Sequence, residues 1–330
     1  MAGAAPRGGD MARPGATGAP RALDGAQAGA AAEPRASDRA TPAGAAAEPR
    51  AADDAAQAAE GVRAVAVERW RDGAPRRDRD RVVHEAPLEI QLDGTTLAVL
   101  MRTPGHDLEL ALGFLLTEGA IPSPDALASL RHETVAPRAG ALDNVVRATL
   151  RPGTGVDAER ARRRLVASAS CGVCGKASLE DALAVAPPLD DPARFDAELL
   201  YELPARLRAA QRVFDATGGL HAAALFEPDG RLVVVREDVG RHNAVDKAIG
   251  FAAAARVPLA GHGLLVSGRV SFEIVQKALA ARIPLVAAVS APSSLAVRLA
   301  GAGGIALVGF LRGRSFNAYG CVERLRGGAA

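Results

Sequence analysis

Apolar and polar positions change rhythm along the chain, and the changes mark its elements. Val62–Val67 alternates and predicts a strand, whereas Arg69–Arg81, charged throughout and broken by Gly73 and Pro75, reads as a connector. Leu88–Leu92 alternates with period two. Asp93-Gly94 then supplies a two-residue turn, and Thr95–Met101 is the returning strand. From Thr103-Pro104 the period lengthens. Leu108, Ala111, Leu112, Leu115 and Leu116 share one helical face, and Gly119 stops the helix. Pro122–Leu130 reads as a second short helix and Asn144–Leu150 as another strand. These pieces predict a small α+β subdomain over residues 61–156.

Over residues 157–326 the pattern predicts an α/β domain. Asp157–Val166 is an Arg-rich helix, and Ala177–Val185 is a second helical stretch. Pro187–Pro192 is a break, and Pro204–Asp215 is a helix ended by Gly218-Gly219. Leu220–Phe226 and Leu232–Glu237 are strands joined by the turn Glu227-Pro228-Asp229-Gly230. Helices over Asn243–Ala255, after Ser271 and over Ser293–Ala300 then alternate with the short apolar strands Leu264–Val266, Leu285–Val289 and Ile305–Val308. Such alternation predicts a largely parallel sheet with helices packed on it. Ligands bind such sheets beyond the carboxyl ends of the strands. Here those ends are Glu237–Asn243, Ser267–Ser271, Ser290–Ser294 and Phe310–Ser315.

Composition sets the first sixty residues apart. Leu23 and two methionines are their only large apolar side chains. A segment so poor in apolar surface cannot offset its ordering entropy, so residues 1–60 are expected to be a disordered, low-complexity tail. No apolar h-region follows the N-terminus and no run is long enough for a membrane helix. A formal net charge of +2 argues against general nucleic-acid binding. Three cysteines in a chain of 330 residues make no disulfide framework and suit a reducing cytoplasm.

Two of those cysteines stand in Ser170-Cys171-Gly172-Val173-Cys174-Gly175-Lys176. Thiolate chemistry requires a lowered pKa and access, and flanking glycines with Lys176 favour both. Alone, C-x-x-C fits half a zinc site, a dithiol redox pair, or a sulfur or acyl carrier. At the strand ends, Arg269, Arg312 and Arg314 each stand beside glycine. Ser293-Ser294 opens a helix, and His242 opens another. Arginine with exposed backbone N–H groups suits phosphate, so these loops predict a pocket for a phosphorylated, nucleotide-like ligand. The alternative is that the arginines make ordinary surface bridges to Glu237, Asp238 or Glu323. His221 reads as a core residue and Cys321 as incidental.

Six blocks then resemble one family: Ser170–Ser178, Thr217–Phe226, Arg236–Lys247, Val266–Lys277, Val289–Ala296 and Gly309–Tyr319. Thr103–Gly119 matches its N-terminal part. Together they resemble the FdhD family of sulfur carriers required for formate dehydrogenase activity. The resemblance implies a cytidine-deaminase-like layered α/β sheet with helices on both faces, and a homodimer. It implies a sulfurtransferase that takes sulfane sulfur from a cysteine desulfurase as a cysteine persulfide. The sulfur would pass to the molybdenum of the bis-molybdopterin guanine dinucleotide cofactor needed by formate dehydrogenase. By position, Cys171 and Cys174 match the sulfur-carrying pair, and Phe310, Leu311, Arg312, Gly313, Arg314 and Ser315 match the cofactor segment. No resident metal, nucleic acid or membrane is implied. Deamination is set aside, because no H-x-E precedes the cysteines and Ser170 replaces the usual proline. The remaining alternative is a zinc-binding, non-catalytic cofactor chaperone, with Cys171 and Cys174 joined by two of His221, His242 and Cys321.

Overall fold

A computed structural model describes residues 60–134, 144–169 and 186–327, with the backbone alone at 164 and 166–169. All of them belong to one unit, residues 46–330. Residues 1–59 of the tail expected over 1–60, the Cys171–Cys174 stretch and the helix expected over Ala177–Val185 lie outside the described residues.

The chain first forms a two-stranded ribbon, β1 (Val62–Arg71) and β2 (Ala74–Val83), paired from Val62↔Val83 to Arg71↔Ala74. Asp72 and Gly73 both take positive φ, 52° and 79°, which gives the tight turn whose twist matches a hairpin. The segment read as a connector is therefore strand. Both its faces meet solvent, so it lacks the alternation that marks a half-buried strand.

A four-stranded sheet follows in the order β4-β3-β6-β5. It comprises β3 (Ala86–Leu92), β4 (Thr95–Arg102), β5 (Leu127–Thr134) and β6 (Asn144–Leu150). Leu88, Ile90, Leu92 and Val146 bury one face against Leu110 and Leu115 of α1 (Asp107–Thr117), and α2 (Ala158–Ala169) packs near β4. The helix expected from Thr103-Pro104 begins only at Asp107, and Leu108 points out at 41% exposure. Burial instead runs almost all round from Leu110 to Leu115, because α1 is covered by the sheet on one side and by a later helix on the other. The helix expected over Pro122–Leu130 is a 3-10 turn, Pro124–Ala126, leading into β5. Leu127 and Leu130 have helical spacing, but pairing with β6 claims the backbone.

The second sheet has six strands in the order β13-β12-β11-β10-β8-β9. They are β8 (His221–Phe226), β9 (Leu232–Asp238), β10 (Gly263–Val266), β11 (Leu285–Ala288), β12 (Ala306–Arg312) and β13 (Ser315–Gly320). Two-residue strands β7 (Phe195–Asp196) and β14 (Leu325–Arg326) pair with each other. Only β10, β11 and β12 run parallel side by side. The hairpins β8–β9 and β12–β13 add antiparallel pairs at both edges, so the expected largely parallel sheet is mixed.

Strand alternation buries both faces of this sheet. Ala223, Leu225, Leu264, Val266, Val286 and Leu307 pack under α5 (Arg241–Ala254), α6 (Phe272–Ala280) and α7 (Ser294–Gly303). Ala222, Ala224, Phe226, Leu265, Ala287 and Val308 pack on α3 (Ala197–Ala210), through Leu200, Leu203 and Leu207. Pro204 lies inside α3 rather than at its start. Asp196 begins the helix by accepting the Glu198 N–H at 2.8 Å. A short α4 (Arg212–Thr217) ends at Gly218, in the left-handed conformation.

The two sheets meet through α1 and α5. Gly113 and Gly250 sit where the helices touch. A Cβ on Gly113 would overlap the carbonyl of Asp246, and one on Gly250 the carbonyl of Glu109. Backbone lies on backbone there.

Candidate functional site

β9, β10, β11 and β12 all end on one edge of the six-stranded sheet, since β9 is antiparallel to β8 and β8 to β10. The four polar loops expected at the carboxyl ends therefore share that edge, with the start of β8 at His221 and of β13 at Ser315 beside them. This follows from topology alone.

His242 lies in the first turn of α5. Its Nε2 meets Ser271 Oγ at 3.2 Å and stands 3.9 Å from Glu273 Oε2. Burial draws its pKa down to about 4, with Arg241 and Lys277 adding to the effect. The imidazole is neutral near pH 7, with one nitrogen engaged by a hydroxyl. Ser271 precedes α6 without capping it, because its hydroxyl is turned to the histidine. His221 is half-buried and meets Gly268 from across the edge: a Cβ there would lie 3.1 Å from Nδ1. Burial lowers its pKa as well, followed by Arg241 and Arg269. Ser267 Oγ accepts the Ala222 N–H at 2.9 Å and ties β8 to the β10–α6 loop.

Of the other expected pocket residues, Arg269 and Ser294 are exposed. Ser293 is the N-cap of α7, its Oγ accepting the Ala296 N–H at 3.2 Å. Phe310–Ser315 is not a free loop but the end of β12 with a tight turn into β13, where Arg312 pairs with Ser315. Leu311 is fully buried in the core beneath. Phe310 has a left-handed φ of 56° and is 37% exposed, an uncommon backbone for an aromatic residue. Arg312 stacks 6.0 Å over that ring and donates to the Val289 carbonyl at 3.3 Å. Arg314 donates from Nη2 to both carboxylate oxygens of Glu198 and lies over Tyr201. Cys171 and Cys174 lie outside the described residues. Cys321 is half-buried, and burial raises its thiol pKa, with Glu323 adding to it.

The alternative of ordinary surface bridges holds for Arg314, whose partner is Glu198 rather than Glu237, Asp238 or Glu323. Arg236 binds Glu109 of α1 bidentately. Glu237 accepts the N–H groups of Val213 and Phe214. Asp238 lies beneath the edge, paired with Lys247 and accepting N–H groups from Thr103, Gly240 and Asn243. A second buried group joins Lys277 to Asp246, Glu118 and Thr117. Burial raises the Asp246 pKa to about 6, against the opposing charge of Lys277. Among the described residues no three His, Cys, Asp or Glu side chains gather in a metal-binding group, and no helix is long and apolar enough to cross a membrane.

A mixed six-stranded α/β sheet with a polar, histidine- and arginine-bearing carboxyl edge thus defines the class of protein. The particular lineage is equally definite: the chain belongs to the FdhD/NarQ family, which matches residues 83–326. It is 52% identical over 264 residues to the sulfur carrier protein FdhD of Streptomyces avermitilis, covering 78% of this chain and 94% of that one. The protein of the same name from Streptomyces coelicolor is 53% identical over the same length and shares. In fold, the chain is similar to the crystal structure of a candidate formate dehydrogenase accessory protein from Desulfotalea psychrophila. The TM-score is 0.62 at 22% identity, over 80% of this chain and 99% of that one.

Proposed function

We propose that this chain is a sulfur carrier that serves formate dehydrogenase, with Cys171 as the persulfide-bearing residue and Cys174 as its helper. The observation that carries this reading is 52% identity to a sulfur carrier protein along nearly that protein's whole length. In the first step the Cys171 thiolate attacks the outer sulfur of a desulfurase persulfide. A new S–S bond forms, the desulfurase thiolate leaves, and the persulfide stays on Cys171. In the second, the Cys174 thiolate attacks Cys171 Sγ. The Cys171–Cys174 disulfide forms as the outer sulfur departs with two electrons as sulfide, and a cellular dithiol later resets the pair.

The acceptor on this reading is the molybdenum of the bis-molybdopterin guanine dinucleotide cofactor, bound as substrate at the carboxyl edge. Arg312, Arg314 and Arg269 would meet its phosphates there, and the first turn of α7 at Ser294 would add a backbone N–H donor. The site works by holding donor and acceptor together, while the cofactor supplies the metal chemistry. Cytoplasmic location, a homodimer and deaminase-like layering belong to the same reading.

Intact-mass spectrometry after incubation with a cysteine desulfurase and cysteine tests it. One added sulfur, removed by a dithiol reductant and absent from Cys171→Ser, is expected. Failure to load, together with stoichiometric zinc in protein purified without chelator, would favour the cofactor chaperone instead.

A further inference from the structure

We propose that one face of the β1–β2 ribbon is a docking surface for an acidic, extended segment of a protein partner. Side chains alternate along a strand, so the register from Val62↔Val83 to Arg71↔Ala74 sorts them into two faces on which charge is arranged differently. On one face Arg69 binds Asp78 at 2.8 Å and Asp80 at 3.2 Å. Both carboxylates of that face are thereby taken, and they separate its remaining arginines, Arg71 and Arg76 near the tip from Arg63 at the base.

The other face differs. Arg77, Arg79 and Arg81 stand in a row along β2, facing Glu68, Ala66 and Ala64 of β1, with Trp70 opposite Pro75 at the tip. All three arginines are exposed, and among the described residues none makes an ion pair or a side-chain hydrogen bond. The alanines opposite are too short to cover them. Trp70 is 66% exposed, the largest apolar side chain the ribbon offers to solvent. An aromatic beside unpaired arginines is the composition enriched at protein interfaces.

The spacing selects the partner. Alternate strand positions are roughly 6.6–6.8 Å apart, a step shared by alternate side chains of an extended peptide. Carboxylates at every second position would therefore meet successive guanidinium groups, each able to bind bidentately. The N–H groups of Arg79 and Arg81 already donate to Asp78 and Asp80 at 2.7 and 2.9 Å, which blunts strand addition and puts the partner on the face. Nucleic acid fits less well. The face carries one aromatic and Glu68, and the chain's net charge of +2 gives no long-range pull on a phosphate backbone. All but the last residue of the ribbon precede residue 83, where the family match begins, so the surface stands apart from the sulfur chemistry.

Trp70 is the only tryptophan, so its emission reports on this face. The full chain would be titrated with an alternating Glu-Ala peptide, by emission and by calorimetry in parallel. Saturable, salt-sensitive binding is expected, weakened about tenfold or more by the triple change Arg77→Ala/Arg79→Ala/Arg81→Ala. The pair Arg63→Ala/Arg71→Ala, on the opposite face, should bind like the parent, and a peptide with its glutamates in one block should bind more weakly. Thermal unfolding establishes that each variant is folded. No saturable binding by the parent, unchanged affinity in the folded triple variant, or tighter binding of oligouridylate than of the peptide would each overturn the proposal.

Discussion

Lys247 and Asp238 form an ion pair 2.7 Å long in which neither side chain reaches solvent. Lys247 Nζ also donates to the carbonyls of Thr103 at 2.8 Å and Glu237 at 3.3 Å. The pair thus pins the segment entering α1 against β9 and the start of α5. Lys247→Met leaves Asp238 charged and buried without a counter-ion, and should cost about 3–5 kcal/mol. Denaturant midpoints should show the double change Lys247→Met/Asp238→Asn costing less than the two singles summed, since the charges are lost together.

The crossing of α1 and α5 predicts a second, purely steric sensitivity. Gly113→Ala and Gly250→Ala each push a methyl into the backbone of the opposite helix. Neither helix can yield without moving its own sheet, so each should cost at least about 1–3 kcal/mol. Gly301→Ala, in α7, has only the Gly320 Cα within reach, at 4.0 Å, and should be close to neutral or mildly stabilising. Equal effects at all three positions in thermal melts would contradict close approach at the crossing.

These cases show what a one-dimensional reading can carry. The Asp93-Gly94 turn was legible because both residues it needs are adjacent and the strands beside it alternate. The carboxyl-edge loops were legible because glycine, serine and arginine interrupt an otherwise apolar half. Leu127 and Leu130 misled, because helical spacing also suits a strand whose pairing partner lies downstream in β6. The ribbon was missed because solvent on both faces erases the period. At the site, His242 was visible as a polar residue opening a helix, but Ser271 is twenty-nine positions away, and only the fold brings them together. Asp238 and Lys247 stand in one stretch, Arg236–Lys247, yet burial, not spacing, decides that they bond each other rather than surface arginines.

Acid should destabilise the fold through two histidines. His106 stands in the left-handed region, with both ring nitrogens buried and unpartnered, and burial lowers its pKa to about 3, with Arg236 and Lys247 adding to it. His242 falls to about 4. Both values lie below the ordinary 6.5, so between about pH 6.5 and 4 the unfolded chain binds more protons than the folded one. Stability therefore rises with pH through that window and is lost as pH falls, by at most about 1.4 kcal/mol per pH unit for each group. His106→Asn, which tolerates the left-handed backbone, and His242→Gln should each flatten the slope of unfolding free energy against pH. An unchanged slope in both variants would mean that neither histidine is held neutral.

On the proposed reading, Arg312→Ala and Arg314→Ala should weaken binding of the guanine dinucleotide cofactor without preventing sulfur loading. A lost charge-assisted hydrogen bond costs about 1.5–3 kcal/mol, roughly a ten- to hundredfold change in Kd. Arg314 now rests on Glu198, in an exposed pair that contributes little to stability. Glu198→Gln should consequently leave the melting temperature unchanged and tighten cofactor binding slightly. Guanine-nucleotide binding unaltered in both arginine variants would move the pocket away from the β12–β13 turn.

The three cysteines should separate cleanly when loaded protein is alkylated and mapped by peptide mass spectrometry. Cys171 comes first in its glycine-flanked motif, beside Gly172, and in C-x-x-C motifs leading into a helix the first thiol is the more exposed and more acidic. Cys171→Ser should abolish the adduct, because a hydroxyl cannot hold sulfane sulfur. Cys174→Ser should still load on Cys171 but release sulfide slowly, having lost the thiolate that forms the resolving disulfide. Cys321→Ser should load and transfer like the parent, since burial and Glu323 raise that thiol's pKa and so disfavour the nucleophilic thiolate. Sulfur found mainly on Cys174 would exchange the two roles. Sulfur on Cys321 alone would remove the C-x-x-C mechanism and transfer the carrier function to the end of the chain.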